Sequence, residues 1–183
     1  MRMIGNAVKS DVAPVVNTGG TATHTPHEIV VVHEMMDMPQ SDRIIEVNYF
    51  KEILKLNEND SDAYSSMGLV YDFQEEHDTA LKYFNIALDI DSENIIALAC
   101  KADTLLGQGN FIESLECLNK IFSIRDDIIM TKITKCYVLS YLDKFDESLD
   151  GFKEIDKLDF DDYGLKRSYY SYYAKSLVNM ERL

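Results

Sequence analysis

From Ser41 onward the chain alternates short polar clusters with stretches of about a dozen residues whose apolar positions recur at helical spacing. Tyr64, Met67, Gly68 and Tyr71 fall on one face of such a stretch, and Ala80, Phe84 and Ala87 on one face of the next. Gly68 lacks a side chain, so a second helix can approach closely there. The pattern predicts helices over Ile44–Leu56, Ala63–Gln74, Thr79–Ile90, Glu93–Gly107, Phe111–Ile124, Asp127–Leu142, Asp146–Leu158 and Leu165–Met180. Short connections such as Asn57-Glu58-Asn59-Asp60 make sequential helices antiparallel neighbours.

The pattern repeats. Adding 34 to Tyr64, Gly68, Tyr71, Ala80, Phe84 and Ala87 gives Leu98, Ala102, Leu105, Ser114, Leu118 and Ile121. A further 34 gives Lys132, Cys136, Leu139, Ser148, Phe152 and Ile155, of which Lys132 departs from the pattern. A small position (Gly68, Ala102, Cys136) and the apolar positions of the second helix persist. For the last helix an insertion of four residues gives the better match, placing Tyr170, Tyr173, Ala174 and Leu177 in the core positions, with Tyr169 and Tyr172 pointing elsewhere. Subtracting 34 sets Phe50 and Ile53 opposite Phe84 and Ala87, so 44–56 reads as the second helix of a preceding unit, with Glu46 in the small position.

These residues resemble the tetratricopeptide repeat (TPR), a 34-residue helix–turn–helix unit patterned W-x-x-L-G-x-x-Y…A-x-x-x-F…P. Tyr64 stands in the Trp position and Ser92 in the Pro position. The resemblance covers about residues 41–183. It implies an all-α fold: an α-solenoid of antiparallel helix pairs wound as a right-handed superhelix, with units near 61–94, 95–128 and 129–166 and a partial one at 167–183.

Residues 1–26 show no helical period and contain the tract Asn17-Thr18-Gly19-Gly20-Thr21, which reads as a disordered or loose arm. Residues 27–40 read as a degenerate capping segment. All three prolines, Pro14, Pro26 and Pro39, precede the repeats.

The net charge of −14 argues against nucleic acid and against anionic lipid as partners. Three cysteines without C-x-x-C spacing make neither a disulfide framework nor a zinc site, and they suit a reducing, cytoplasmic setting. No apolar run is long enough to cross a membrane, and the N-terminus does not read as a secretory signal.

His24, His27 and His33, with Met35, Met36 and Met38, could hold a metal, but the composition of the arm supports a polar tail instead. Asp89-Ile90-Asp91 begins like a calcium loop, yet Asn94 and Cys100 stand where Gly and Glu are needed. No phosphate-loop, dinucleotide or nucleophile-elbow motif occurs, so the expectation is a non-enzyme with no cofactor and no metal.

The resemblance implies a concave groove lined by the first helix of each pair. On this chain that face maps to Asp62, Ser65, Leu69, Asp72, Ile96, Ala99, Asp103, Leu106, Met130, Ile133, Tyr137 and Lys175. The basic clamp with which some members hold an acidic chain end is absent, since Ser65, Leu69, Cys100, Met130 and Thr134 occupy its positions. The expected partner is a protein or peptide with basic or amphipathic character, its cations meeting Asp62, Asp72 and Asp103. The other roles in view are an accessory or regulatory portion of a larger enzyme or complex, and a homodimer through the last helix.

Overall fold

A computed structural model of the chain describes residues 40–158, 160 and 162–181. The arm and the capping segment expected at 1–26 and 27–40, with the His/Met cluster, lie outside the described residues, save Gln40. The described residues form eight helices and no strand: α1 (Gln40–Leu56), α2 (Ser61–Phe73), α3 (His77–Ile90), α4 (Ile95–Gly107), α5 (Phe111–Ile124), α6 (Ile129–Tyr141), α7 (Phe145–Asp156) and α8 (Tyr163–Met180). Helices α2 and α3, α4 and α5, and α6 and α7 pack as antiparallel pairs, and each pair stacks on the next.

The 34-residue period reaches the backbone. Helices start at Ser61, Ile95, Ile129 and Tyr163, and their partners at His77, Phe111 and Phe145. The turn within each pair has a left-handed residue at the same place: Glu75 (φ 62°), Gly109 (φ 80°) and Asp143 (φ 56°). The next amide donates back to the carbonyl five residues earlier each time: Glu76 to Tyr71 (3.0 Å), Asn110 to Leu105 (2.8 Å) and Lys144 to Leu139 (3.0 Å). This closure satisfies carbonyls that the end of a helix leaves open.

The pairs close at the small position. A Cβ on Gly68 would lie 2.5 Å from Cε1 of Phe84, so the Phe84 ring rests on the bare backbone. Ala102 is fully buried at the equivalent place, and Cys136 is 5% exposed. In the second and third pairs a serine of the second helix adds a buried hydrogen bond: Ser114 Oγ donates to Ala102 O (2.8 Å) and Ser148 Oγ to Cys136 O (2.7 Å). Phe84, Leu118 and Phe152, again 34 apart, are almost wholly buried. Val47, Phe50 and Leu54 of α1 pack on Met67, Leu69 and Val70, so α1 covers the first pair.

The last helix departs from the sequence reading. The insertion of four residues is absent, because α8 starts 34 residues after α6. Tyr170, expected in the core, is 64% exposed, and Leu177 is 38% exposed. The buried residues are instead Tyr169 and Ser176. The reason is where α8 sits. It lies mainly against α6 and only lightly against α7. The Tyr169 ring meets Phe152 edge-on at 5.8 Å while its hydroxyl donates to Phe152 O (3.3 Å). Asn179 Nδ2 donates to Ser140 Oγ on α6 (3.2 Å). The opposite flank carries Tyr170, Leu177 and Val178 and stays open.

Candidate partner-binding groove

The twelve residues mapped to the concave face divide into three groups. Ser65 and Ile133 are fully buried and offer no surface. The Ser65 hydroxyl donates to Ser61 O (2.9 Å), a bond within its own helix. Leu69 is 9% exposed and belongs to the core shared with α1. Ile96, Ala99 and Met130 are half-buried, with Ala99 packed on the central core.

Two of the three acids are already engaged. Asn94 is the N-cap of α4, its Oδ1 accepting from the Ala97 amide (2.9 Å). Its Nδ2 donates to Asp62 Oδ1 (2.8 Å) and Ser61 Oγ (3.1 Å). Asp72 Oδ1 accepts from Thr104 Oγ1 (2.9 Å) and lies 2.9 Å from His77 Nδ1. Asp62 and Asp72 therefore join the first pair to the second. Asp103 differs: among the described residues it has neither a hydrogen bond nor an ion pair, and it is exposed to solvent. The concave wall around it hinders full hydration and pushes its carboxyl up to about 6, with Asp72 adding a smaller push in the same direction.

Asp103, Leu106, Tyr137 and Lys175 do converge, around a hollow of about 530 Å³ at the C-terminal half of the groove. They are joined by Gly107 and Gly109 at the end of α4, Phe111 of α5, Tyr141 of α6 and Tyr172 of α8, none of which the sequence mapping included. The rings form a connected set. Phe111 stacks on Tyr141 at 4.3 Å, Tyr137 meets Tyr141 edge-on at 5.1 Å, and Tyr137 stacks on Tyr172 at 4.5 Å. The Tyr137 and Tyr141 hydroxyls are 2.8 Å apart. Burial, and then the Tyr141 hydroxyl, hold the Tyr137 phenol well above its usual range, so it stays a neutral donor or acceptor. Lys175 Nζ lies 5.8 Å from the Tyr137 ring centre and 5.5 Å from that of Tyr172.

A second hollow, of about 620 Å³, lies between α5, α6 and α7 beside Gly151. Its acids are matched by lysines: Glu147 with Lys144, Asp150 with Lys153 and Glu154 with Lys157. Lys135 there sits over the Phe122 ring at 4.6 Å.

The cysteines do not form a reactive centre. Burial raises all three thiols, Cys100 to about 12 with Asp103 and Asp72 adding to it, Cys136 to about 11, and Cys117 in the same direction. A thiol that keeps its proton at neutral pH is a poor nucleophile. No group of three or more His, Cys, Asp or Glu side chains is arranged to hold a metal among the described residues. No helix there is long and apolar enough to cross a membrane.

No family model and no curated protein sequence matches the chain. Solved structures do match. A crystal structure of a tetratricopeptide repeat protein from Parabacteroides merdae ATCC 43184 aligns with TM-score 0.63 at 15% identity, over 87% of this chain and 65% of that one. The fold is a TPR-type helical solenoid. A crystal structure of MamA aligns with TM-score 0.56 at 12% identity, over 74% of this chain and 87% of that one. A MamA RS-1 double mutant gives 0.62 at 11%, over 84% and 93%. At these identities the likeness concerns the fold. In TPR terms the hollow lies on the side lined by the first helices of the units, where α4, α6 and α8 supply Asp103, Tyr137 and Tyr172.

Proposed function

We propose that this TPR solenoid is a non-catalytic protein-interaction module that receives a basic or amphipathic segment of a partner in the C-terminal half of its concave face. The observation that carries this reading is the hollow itself: a concave surface with four aromatic rings and one unengaged acid, on a chain of net charge −14. Ring faces supply contact area at little entropic cost, and the surplus of negative charge steers cations towards the surface. The acids at the N-terminal half contribute less, since Asp62 and Asp72 are held by Asn94, Thr104 and His77. Three free cysteines fit a cytoplasmic, reducing setting.

A photocrosslinker placed at Leu106, inside the hollow, tests this against one at Glu116, exposed on α5. In native cell extract the first should label a basic or amphipathic protein, and Asp103→Lys should remove the label. Labelling from Glu116 alone would dismiss the concave face as the working surface.

A specific observation also supports self-association through α8. Tyr170, Leu177 and Val178 lie on one exposed flank, where each earlier first helix has a partner helix. A second copy would bury that flank. Light scattering across concentration should then show a dimer that Tyr170→Glu with Leu177→Glu returns to monomer, and a monomer at every concentration would end this reading.

A further inference from the structure

Within the hollow the chemistry is more specific than a general groove. Lys175 Nζ already stands against the Tyr137 and Tyr172 rings, at 5.8 and 5.5 Å. These rings thus meet a cation at the distance where a ring quadrupole attracts one. Lys175 is exposed and, among the described residues, makes no hydrogen bond or ion pair, so its long side chain can leave. Across the same hollow, Asp103 has no cation within ion-pair distance among the described residues. Phe111 and Tyr141 extend the ring wall as a second stacked pair. The site therefore combines flat ring surface with one carboxylate.

We propose that the hollow is a subsite for an arginine side chain of the partner, its guanidinium taking the place of the Lys175 ammonium beside the stacked Tyr172 and Tyr137 rings and donating to the Asp103 carboxylate. The guanidinium fits better than an ammonium. It is planar, stacks on rings, is weakly hydrated and presents a fork of N–H donors to a carboxylate. An incoming arginine displaces Lys175, which now covers the ring edges and adds like charge. Lys175 thus acts as a resident competitor whose removal strengthens binding. This rests on the concave face being the partner surface, and it adds which residue of the partner that surface reads.

The probe is N-acetyl-arginine amide, titrated into the full chain and followed by NMR of the tyrosine ring resonances. The expected result is saturable shifts at Tyr137, Tyr141 and Tyr172, with N-acetyl-lysine amide weaker and N-acetyl-glutamate amide silent. Tyr172→Ala and Asp103→Asn should each weaken arginine binding about fivefold, the range of a ring–cation or partly screened charge contact. Lys175→Met should tighten it about twofold to fivefold. Equal binding of the arginine and lysine probes, or shifts only with the glutamate probe, would overturn the subsite. The crosslink from Leu106 reports separately on the groove. If that label persists while the arginine probe moves no ring resonance, the groove stands and the arginine subsite falls.

Discussion

The first and third helix pairs make the same close approach with the bulk assigned to opposite sides. In the first pair α2 gives up its side chain at Gly68 and the Phe84 ring of α3 fills the space, while its neighbour Tyr83 stacks on Tyr71 at 5.2 Å. In the third pair α6 carries Cys136 at that position and α7 gives way, because a Cβ on Gly151 would collide with the Cys136 sulfur. The middle pair divides the volume, with Ala102 facing Leu118 and Cys117. As the small position grows from Gly68 through Ala102 to Cys136, the second-helix position 34 residues apart at Tyr83, Cys117 and Gly151 shrinks, until at Gly151 it lies against the Cys136 sulfur. The fold conserves the filled gap between the two helices, and volume can be moved across it. The concave sides of the two pairs also differ. Beside the first, the acids hold neighbouring repeats together; beside the third, the aromatic rings leave a hollow.

The largest effect should come from Phe152→Ala. Phe152 is almost fully buried, and it seats both Cys136's helix and, through Tyr169 and Tyr173, the last helix. A loss of about 3–5 kcal/mol in urea unfolding is expected. Phe84→Ala should cost a similar amount but leave the α8 tyrosines undisturbed. If the tyrosine fluorescence of α8 moved equally in both variants, the third pair would not be the special seat of that helix.

The exchange of bulk predicts a change of sign. In the wild-type background Gly151→Ala forces a methyl into the Cys136 sulfur and should destabilise by about 1–3 kcal/mol. With Cys136→Ala already in place, the same methyl has room. Alanine is then the better helix former, by up to about 1 kcal/mol. A double-mutant cycle measures the coupling directly. Additive effects would mean that the two positions do not share one volume.

The small position, the helix pairs and their period were legible because a 34-residue repeat samples the same packing problem several times, and errors at Lys132 or Ser92 average out. The last helix was misread because four tyrosines between Tyr169 and Tyr173 make every register look apolar. The better signal was the capping series Asp60, Asn94 and Asp162, spaced by multiples of 34, in which Asp162 accepts from the Leu165 amide (2.8 Å) as Asp60 does from Ala63 (2.9 Å). It fixes the start of α8 without reference to the tyrosines. In the groove, Asp103, Leu106, Tyr137 and Lys175 came from the face that the TPR resemblance implies, and they converge on one hollow. Tyr172 was missed because it depends on α8 leaning onto α6, and Phe111 because it sits at the start of a second helix and reaches Tyr141 of the next pair, neither of which spacing within one helix encodes.

The turns sharpen the comparison at a smaller scale. Glu75, Gly109 and Asp143 share one left-handed conformation, which costs a residue with a Cβ about 1–2 kcal/mol and glycine almost nothing. Glu75→Gly should stabilise the chain by about 0.5–1 kcal/mol after the entropy of a freer unfolded chain is deducted. Asp143→Gly should gain less, because aspartate tolerates this region better than glutamate. Equal gains would show that the two turns are strained alike. A loss in either would mean that the side chain makes a contact worth more than the strain.

The smallest effect concerns Asp103 and is seen only through pH. Its carboxyl titrates near 6 in the folded chain, against about 3.9 for an ordinary aspartate. The folded state therefore holds more proton than the unfolded state between these values. Stability must fall as pH rises through that window, with the cost absent below about 4 and complete above 6. The group is exposed, so solvent screens much of this cost. Asp103→Asn removes this carboxyl and leaves its neighbours in place, so the difference from wild type reports on Asp103 itself. The variant should be slightly more stable than wild type at pH 7 and indistinguishable from it at pH 4. An arginine ligand should respond in the opposite sense, binding more tightly as pH rises through 6, because it needs the carboxylate charged. A carboxylate that weakens the free protein where it strengthens the complex belongs to a binding surface, whereas Asp72, held by Thr104 and His77, should show no such opposition.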